Sequence, residues 1–163
     1  MPDLIPAEFE VLDPRFAGTG GDRSVARLFS GGRWLEGPGY HPAGQFVLFS
    51  DIPNDRVLRY DEVSERTDVF LTPAGFSNGR TVDRQGRFVT CEHGERRVTR
   101  TQHDGSVKVL AASYQGHRLN SPQRCRRAFR RIDLVHRPEL RYPHRLRGPR
   151  SIIGDQFTQC LSR

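Results

Sequence analysis

"GQFVLFSD" at residues 44–51 and "GRFVTCE" at residues 86–92 are one pattern written twice, with starts 42 positions apart (86 − 44). The first copy continues through "DRVLRYD" (55–61) to "DVFLT" (68–72). The second continues through "RRVTRTQ" (96–102) to "VKVLA" (107–111). Each run is rich in Val, Phe and Leu, is bounded by Gly, Pro, Asn or Asp, and lacks a sustained helical period, so the runs predict strands. "PNDR" (53–56), "EHGE" (92–95) and "HDGS" (103–106) predict hairpin turns, because Asn, Asp and Gly tolerate positive φ. Four short strands on a period of about 40 to 45 residues is the pattern of a β-propeller blade. An antiparallel sandwich also repeats short strands, but it gives no reason for the copies to match each other. The expected fold is all-β: about two four-stranded blades plus the first residues of a third.

Charge divides the chain in the same place as the repeat. The 163 residues carry a net +7. Residues 1–120 hold 15 Lys and Arg against 16 Asp and Glu, a sum of −1; residues 121–163 hold 11 Arg and 3 acids, a sum of +8. The organisation read from this is a lead segment (1–24), a propeller part (25–122) and an Arg-rich tail (123–163). Mean hydropathy is −0.65, and no apolar run approaches membrane-spanning length. The start, "MPDLIPAEFEVLDPRF", carries acids where a signal peptide needs a basic and then an apolar stretch, so a cytoplasmic location is expected. Cys91, Cys125 and Cys160 fit neither a metal-ligand spacing nor an even disulfide framework.

An arginine-rich tail raises the possibility of a nucleic-acid arm, since such clusters bind phosphate backbones without sequence preference. Zinc-finger spacing, heptads and an RNP-like aromatic strand are all missing, and Phe129, Tyr142 and Phe157 are sparse as stacking platforms. No specific nucleic-acid partner is expected. Smaller motifs read as structural. "CEH" (Cys91 to His93) has no second half-site and alternates faces along a strand, and "GTGGDR" (18–23) lacks a following lysine and helix. His41, His103 and His117 sit among turn residues and read as solvated.

The repeat also aligns three polar residues. Glu36, Asn78 and Asn120 open successive units 42 positions apart (78 − 36 and 120 − 78). If these positions face a central channel, a carboxylate and two carboxamides offer oxygen ligands to a hard cation. Alternatively, Asn78-Gly79 and Asn120-Ser121 are simply turn residues.

"WLEGPGYHPAGQFVLFSDIPNDRVLRYD", then "NGRTVDRQGRFVTCEHGERRVTRTQHDGSVKVLA", then "YQGHRLNSP" together resemble the gluconolactonase branch of the SMP-30/gluconolactonase/LRE-like family. The resemblance implies a six-bladed propeller with Ca²⁺ or Zn²⁺ at the channel mouth, acting on sugar lactones and related esters. There the metal would polarise the lactone carbonyl and activate a bound water. Carried over by residue, Glu36 matches the first metal ligand, while Asn78 and Asn120 match substrate-side positions. No catalytic residue is assigned. The family continues "NSP" with "ND", but here Gln123 and Arg124 follow, and two later ligands belong to blades beyond residue 163. Tight metal binding and lactone turnover are therefore not expected of this chain. A non-catalytic interaction module made of propeller blades is the competing reading. Open blade edges would favour self-association.

Shifted by one base, codons for the tail accommodate the family pattern. Dropping the first base of Gln123 (CAA or CAG) before Arg124 (CGN) allows AAC, Asn; the next steps allow Asp and Val. Continued to Pro143, the shifted frame permits "NDVVVRSGGSIWFTDPSYGIP", which supplies "ND" and a third copy of the strand pattern. The expected origin of the Arg-rich tail is a frameshift near codon 123, leaving it disordered and outside the fold.

Overall fold

The computed structural model describes residues 3–18, 24–127 and 132–134. Its strands are β1 (Asp3–Pro6), β2 (Ser24–Arg27), β3 (Leu35–His41), β4 (Phe46–Asp51), β5 (Arg56–Asp61), β6 (Arg66–Leu71) and β7 (Ser77–Val82). They continue as β8 (Phe88–Glu92), β9 (Arg97–Thr101), β10 (Val107–Ala111), β11 (Ser113–Tyr114), β12 (His117–Arg118), β13 (Cys125–Arg127) and β14 (Ile132–Leu134). Two four-stranded antiparallel meanders, β3-β4-β5-β6 and β7-β8-β9-β10, form the two blades. The fold is all-β and is a partial propeller, as the repeat predicts. The described helices are short 3₁₀ turns, and none is long and apolar enough to cross a membrane.

The turns follow from local chemistry. Asp55 adopts φ 47° between β4 and β5, and Gly105 adopts φ 83° between β9 and β10. In the "EHGE" turn the left-handed residue is Arg96, at φ 53°, just past the quoted motif. Asp51, fully buried at the end of β4, accepts from the backbone N–H of Arg33 (3.1 Å) and Trp34 (3.3 Å), from Asn54 Nδ2 (2.7 Å) and from Arg56 Nε (2.9 Å). Burial pushes its pKa up, but these hydrogen bonds outweigh burial and bring it down to about 2. One carboxylate thereby ties the β4–β5 turn to the approach to β3, and so fixes where Glu36 stands.

The blades pack face to face through their inner strands. Leu48, Val57 and Ala74 form one buried cluster with Phe46 and Phe88 against it. Val89, Cys91, Val98 and Leu119 form the second, joined by Leu110, Ala111, Tyr114 and Cys125. Each buried Val or Leu contributes roughly 1.5–3 kcal/mol. Gly37, at φ 59°, lets β3 approach β7: a Cβ there would strike the Asn78 carbonyl.

His41 departs from the reading that it is solvated. It is half-buried between the blades: its ring stacks on Phe46 at 4.9 Å, Nδ1 accepts from Gly44 N–H (2.9 Å), and Nε2 faces the Gly86 carbonyl (3.0 Å). A turn position in sequence becomes an inter-blade position once the second sheet covers it. His103 and His117 are exposed. The lead segment adds something its sequence did not announce, because β1 pairs antiparallel with β2 from Asp3↔Arg27 to Pro6↔Ser24.

At the other end, Pro122 and Gln123 are buried, and β13 pairs with β14, Cys125 opposite Leu134. The expectation of a disordered tail falls, apart from residues 123–127 and 132–134, outside the described residues.

Candidate functional site at the ends of the inner strands

The starts of β3 and β7 lie side by side, because both strands carry a glycine where the next unit presses closest. A Cβ on Gly79 would meet the Gln123 carbonyl, as one on Gly37 would meet that of Asn78. Gly79 N–H donates to the Gln123 carbonyl at 2.8 Å. In space, therefore, the unit after Asn78 presents Gln123, whereas sequence periodicity pairs Asn78 with Asn120.

Three residues gather there. Glu36, on β3, accepts from Trp34 Nε1 at 3.2 Å. Asn78, on β7, is 2 % exposed; its carbonyl accepts from Ser50 Oγ (3.1 Å), and its Nδ2 lies 3.4 Å from His93 Nε2. His93, just past β8, also lies beside the Pro122 carbonyl. Burial lowers the His93 pKa; the nearby Glu36 carboxylate and the Pro122 hydrogen bond oppose that without reversing it. The imidazole is held neutral at neutral pH, with one ring nitrogen toward Asn78 and the ring clamped to the third unit.

Of the residues singled out in the sequence, the structure brings the ends of the strands that carry Glu36 and Asn78 together and leaves Asn120 exposed and outside their hydrogen bonds. His93 was missed. Its motif splits three ways: Cys91 enters the core, Glu92 accepts from Arg97 Nε (2.6 Å) and Thr99 Oγ1 (2.7 Å), and His93 turns to the strand ends. The first copy of the repeat has no histidine after β4, so periodicity gives no signal for it.

Beneath this cluster Arg80 runs between the blades. It is 6 % exposed, donating from Nη1 to the Gly37 carbonyl (3.0 Å) and from Nη2 to Ser50 Oγ (2.6 Å). Burial lowers its pKa to about 10, with Cys125 and Cys91 acting weakly in the other direction, so it stays charged at neutral pH. It holds the two inner strands in register below Glu36 and Asn78.

Comparison with known proteins bears on this arrangement. Residues 34–125 match the family model described as the SMP-30/Gluconolactonase/LRE-like region, which takes in both blades and the start of the third unit. The chain belongs to the SMP-30/gluconolactonase/LRE-like family. A gluconolactonase from Zymomonas mobilis subsp. mobilis is 29% identical over 104 residues, covering 55% of this chain and 29% of that protein. The solved structure of a Xanthomonas campestris gluconolactonase aligns at TM-score 0.67 and 36% identity, over 76% of this chain and 42% of its own. TolB from Acinetobacter baumannii, 24% identical with TM-score 0.54, covers 76% of this chain and 31% of its own and shares the fold. The chain thus spans less than half the length of these relatives.

A divalent cation is implied by the resemblance, and the donor chemistry here tests it. Hard cations collect several oxygen ligands. Glu36 supplies one carboxylate, already engaged by Trp34, and Asn78 turns its nitrogen toward His93. Among the described residues no three or more of His, Cys, Asp and Glu gather where they could hold an ion. Arg124, exposed, has its Cα against Gly79 and brings a positive charge to this end of β7, not an oxygen ligand. The residues present do not fit a divalent cation, and no catalytic step passes through one.

Proposed function

We propose that this chain is the first part of a lactone-hydrolase propeller of the gluconolactonase type, and that as it stands it does not turn over sugar lactones. The observation that carries this reading is the pairing of Glu36 with a buried Asn78 at the adjoining ends of β3 and β7, in a chain of this family. In the intact site, a divalent cation such as Ca²⁺ or Zn²⁺ would supply a polarised carbonyl and an activated water. Glu36 would hold that ion, and Asn78 would orient substrate, with its nitrogen anchored by His93. We assign Asn120 the substrate-side role only by its place in the family motif.

Gln123 and Arg124 account for the proposed inactivity. Gln123 packs on Gly79 where the family has Asn, and Arg124 brings a fixed positive charge where the family has a carboxylate. A frameshift at codon 123 explains both together with the surplus of arginine beyond them. Exposed Val107 and Val109 on the outer strand β10 (56% and 46% exposed) support self-association through open edges.

Calorimetry with Ca²⁺ and Zn²⁺, alongside a lactone-hydrolysis assay, tests the reading. The 163-residue chain is expected to give neither binding nor turnover. The frame-restored protein should give both, and Glu36→Gln should abolish both. Micromolar binding by the 163-residue chain that Glu36→Gln removes would overturn the reading, as would resequencing that finds the present frame unbroken in several isolates.

A further inference from the structure

We propose that Cys91 and Cys125 form a thiol–disulfide modification site that clasps the start of the third unit to the second blade, with a small-molecule disulfide as its oxidant. The pair stands on packing. Cys91 lies on β8, fully buried in the same cluster as Val89, Val98 and Leu119, and Cys125 at the start of β13 packs against that cluster. Alternation along β8 sends Val89 and Cys91 to one face. Cys125 Sγ reaches the Val89 carbonyl on that strand at 3.4 Å and the Gly79 carbonyl at 3.9 Å. Packing thus sets Cys125 against the cluster that contains Cys91, although the two lie 34 positions apart in the chain (125 − 91).

Their surroundings give the two sulfurs different roles. Cys91 is fully buried, whereas Cys125 is only half-buried and so is the sulfur a small molecule can reach. The neighbouring Cys91 lowers the Cys125 pKa; burial opposes this, and the Arg80 guanidinium assists it. Cys125 is thus the attacking sulfur and Cys91 the resolving one. In the first step the Cys125 thiolate attacks a sulfur of the small disulfide, forming a mixed disulfide and expelling one thiolate, which takes up a proton. Cys91 then loses its proton and attacks Cys125 Sγ, expelling the second small thiol. Two protein thiols and one disulfide become one protein disulfide and two thiols, so electrons and protons balance.

The consequence reaches the candidate site. Gln123 and Pro122, two and three residues before Cys125, contact Gly79 and His93. Closing the disulfide holds them there independently of the rest of the third unit. The proposal does not depend on lactone hydrolysis.

The test uses the full chain carrying Cys160→Ser, equilibrated in buffers of oxidised and reduced glutathione, both natively and in concentrated urea, then acid-quenched for intact-mass and peptide analysis. The expected result is loss of two hydrogens with Cys91 and Cys125 linked. The native equilibrium constant should exceed that in urea by at least about tenfold, because the fold holds the sulfurs together. Cys91→Ser should leave Cys125 carrying glutathione, whereas Cys125→Ser should leave Cys91 unmodified. Equal constants in buffer and urea overturn the proposal, whether the chain is folded or not. So does a native end state in which Cys125 carries glutathione beside a free Cys91, or Cys91 reacting unchanged in Cys125→Ser.

Discussion

Beside the glycines of the inner strands, the buried side chain between the first and second blades is polar, whereas the one between the second blade and the third unit is a thiol among apolar groups. Arg80 fills the first, reaching Gly37 and Ser50; Cys125 fills the second, reaching Gly79 and Val89 beside Cys91 and Leu119. The backbone step is the same, with a glycine pressed against the next unit's carbonyl. The side chains that complete it are not. A guanidinium keeps its charge in that space only because the Ser50 and Ser77 hydroxyls and the Gly37 carbonyl replace water, so the first interface depends on hydrogen-bond geometry. The second depends on close packing, and tolerates a change of side chain that keeps volume.

Four tests would sharpen or break that contrast, beginning with the largest expected effect. Arg80→Ala should cost roughly 3–5 kcal/mol in urea unfolding, since it leaves a cavity and strands Ser50 and the Gly37 carbonyl without their donor. Cys125→Val, at the corresponding place, should cost less than about 1.5 kcal/mol, as volume-conserving swaps do. Equal losses would mean that the interfaces are not different in kind.

Next, Gly37→Ala should destabilise by about 2–3 kcal/mol, because it combines a positive φ with a collision against the next strand's backbone. Gly79→Ala meets a carbonyl too but has no positive φ, and should lose about 1 kcal/mol less. A reversed order in the same unfolding assay would place the tighter junction at the third unit.

The ion pairs that close equivalent turns come third. Asp51→Asn should cost about 2 kcal/mol and Glu92→Gln about 1 kcal/mol, since Asp51 is fully buried with four donors and Glu92 is partly exposed with two. Because the folded Asp51 pKa, about 2, lies below its ordinary value of 3.8, its contribution is complete above pH about 4 and fades as pH falls toward 2. Thermal melts across that range should show the native chain converging on Asp51→Asn. A constant gap would refute the assignment.

The smallest effect is expected at His93. His93→Gln keeps a partner for Asn78 but loses the ring packed at the strand ends, and should cost about 1 kcal/mol, leaving the Arg80 interface intact. Hydrogen exchange at Gly79, whose N–H bonds Gln123, should accelerate while that of β4 does not change. Acceleration in both blades would make His93 a core residue and not a junction residue.

Much of the fold was legible in the sequence because a strand's alternation and a turn's need for positive φ are local. "GQFVLFSD" and "GRFVTCE" became β4 and β8, and the segments around them took the expected order. The short β1–β2 pair was not legible, since four residues such as Asp3–Pro6 carry too little pattern to stand out. Of the candidate site, Glu36 and Asn78 were found by periodicity. His93 was not, because nothing in the first copy repeats it.

By itself, the sequence determined the class, the repeat, the family and the point near Gln123 where the pattern fails. It could do so because those features depend on residue type and spacing along one chain. Only the tertiary structure decided that Gly79 meets Gln123, that His41 and Arg80 stitch the blades together, and that Cys125 packs against the cluster of Cys91. Those meetings depend on how far one sheet shifts as it packs on the next. A bulge between Glu36 and Gly39, and another between Ser77 and Arg80, displaces each inner strand by an amount that a constant 42-residue step does not contain.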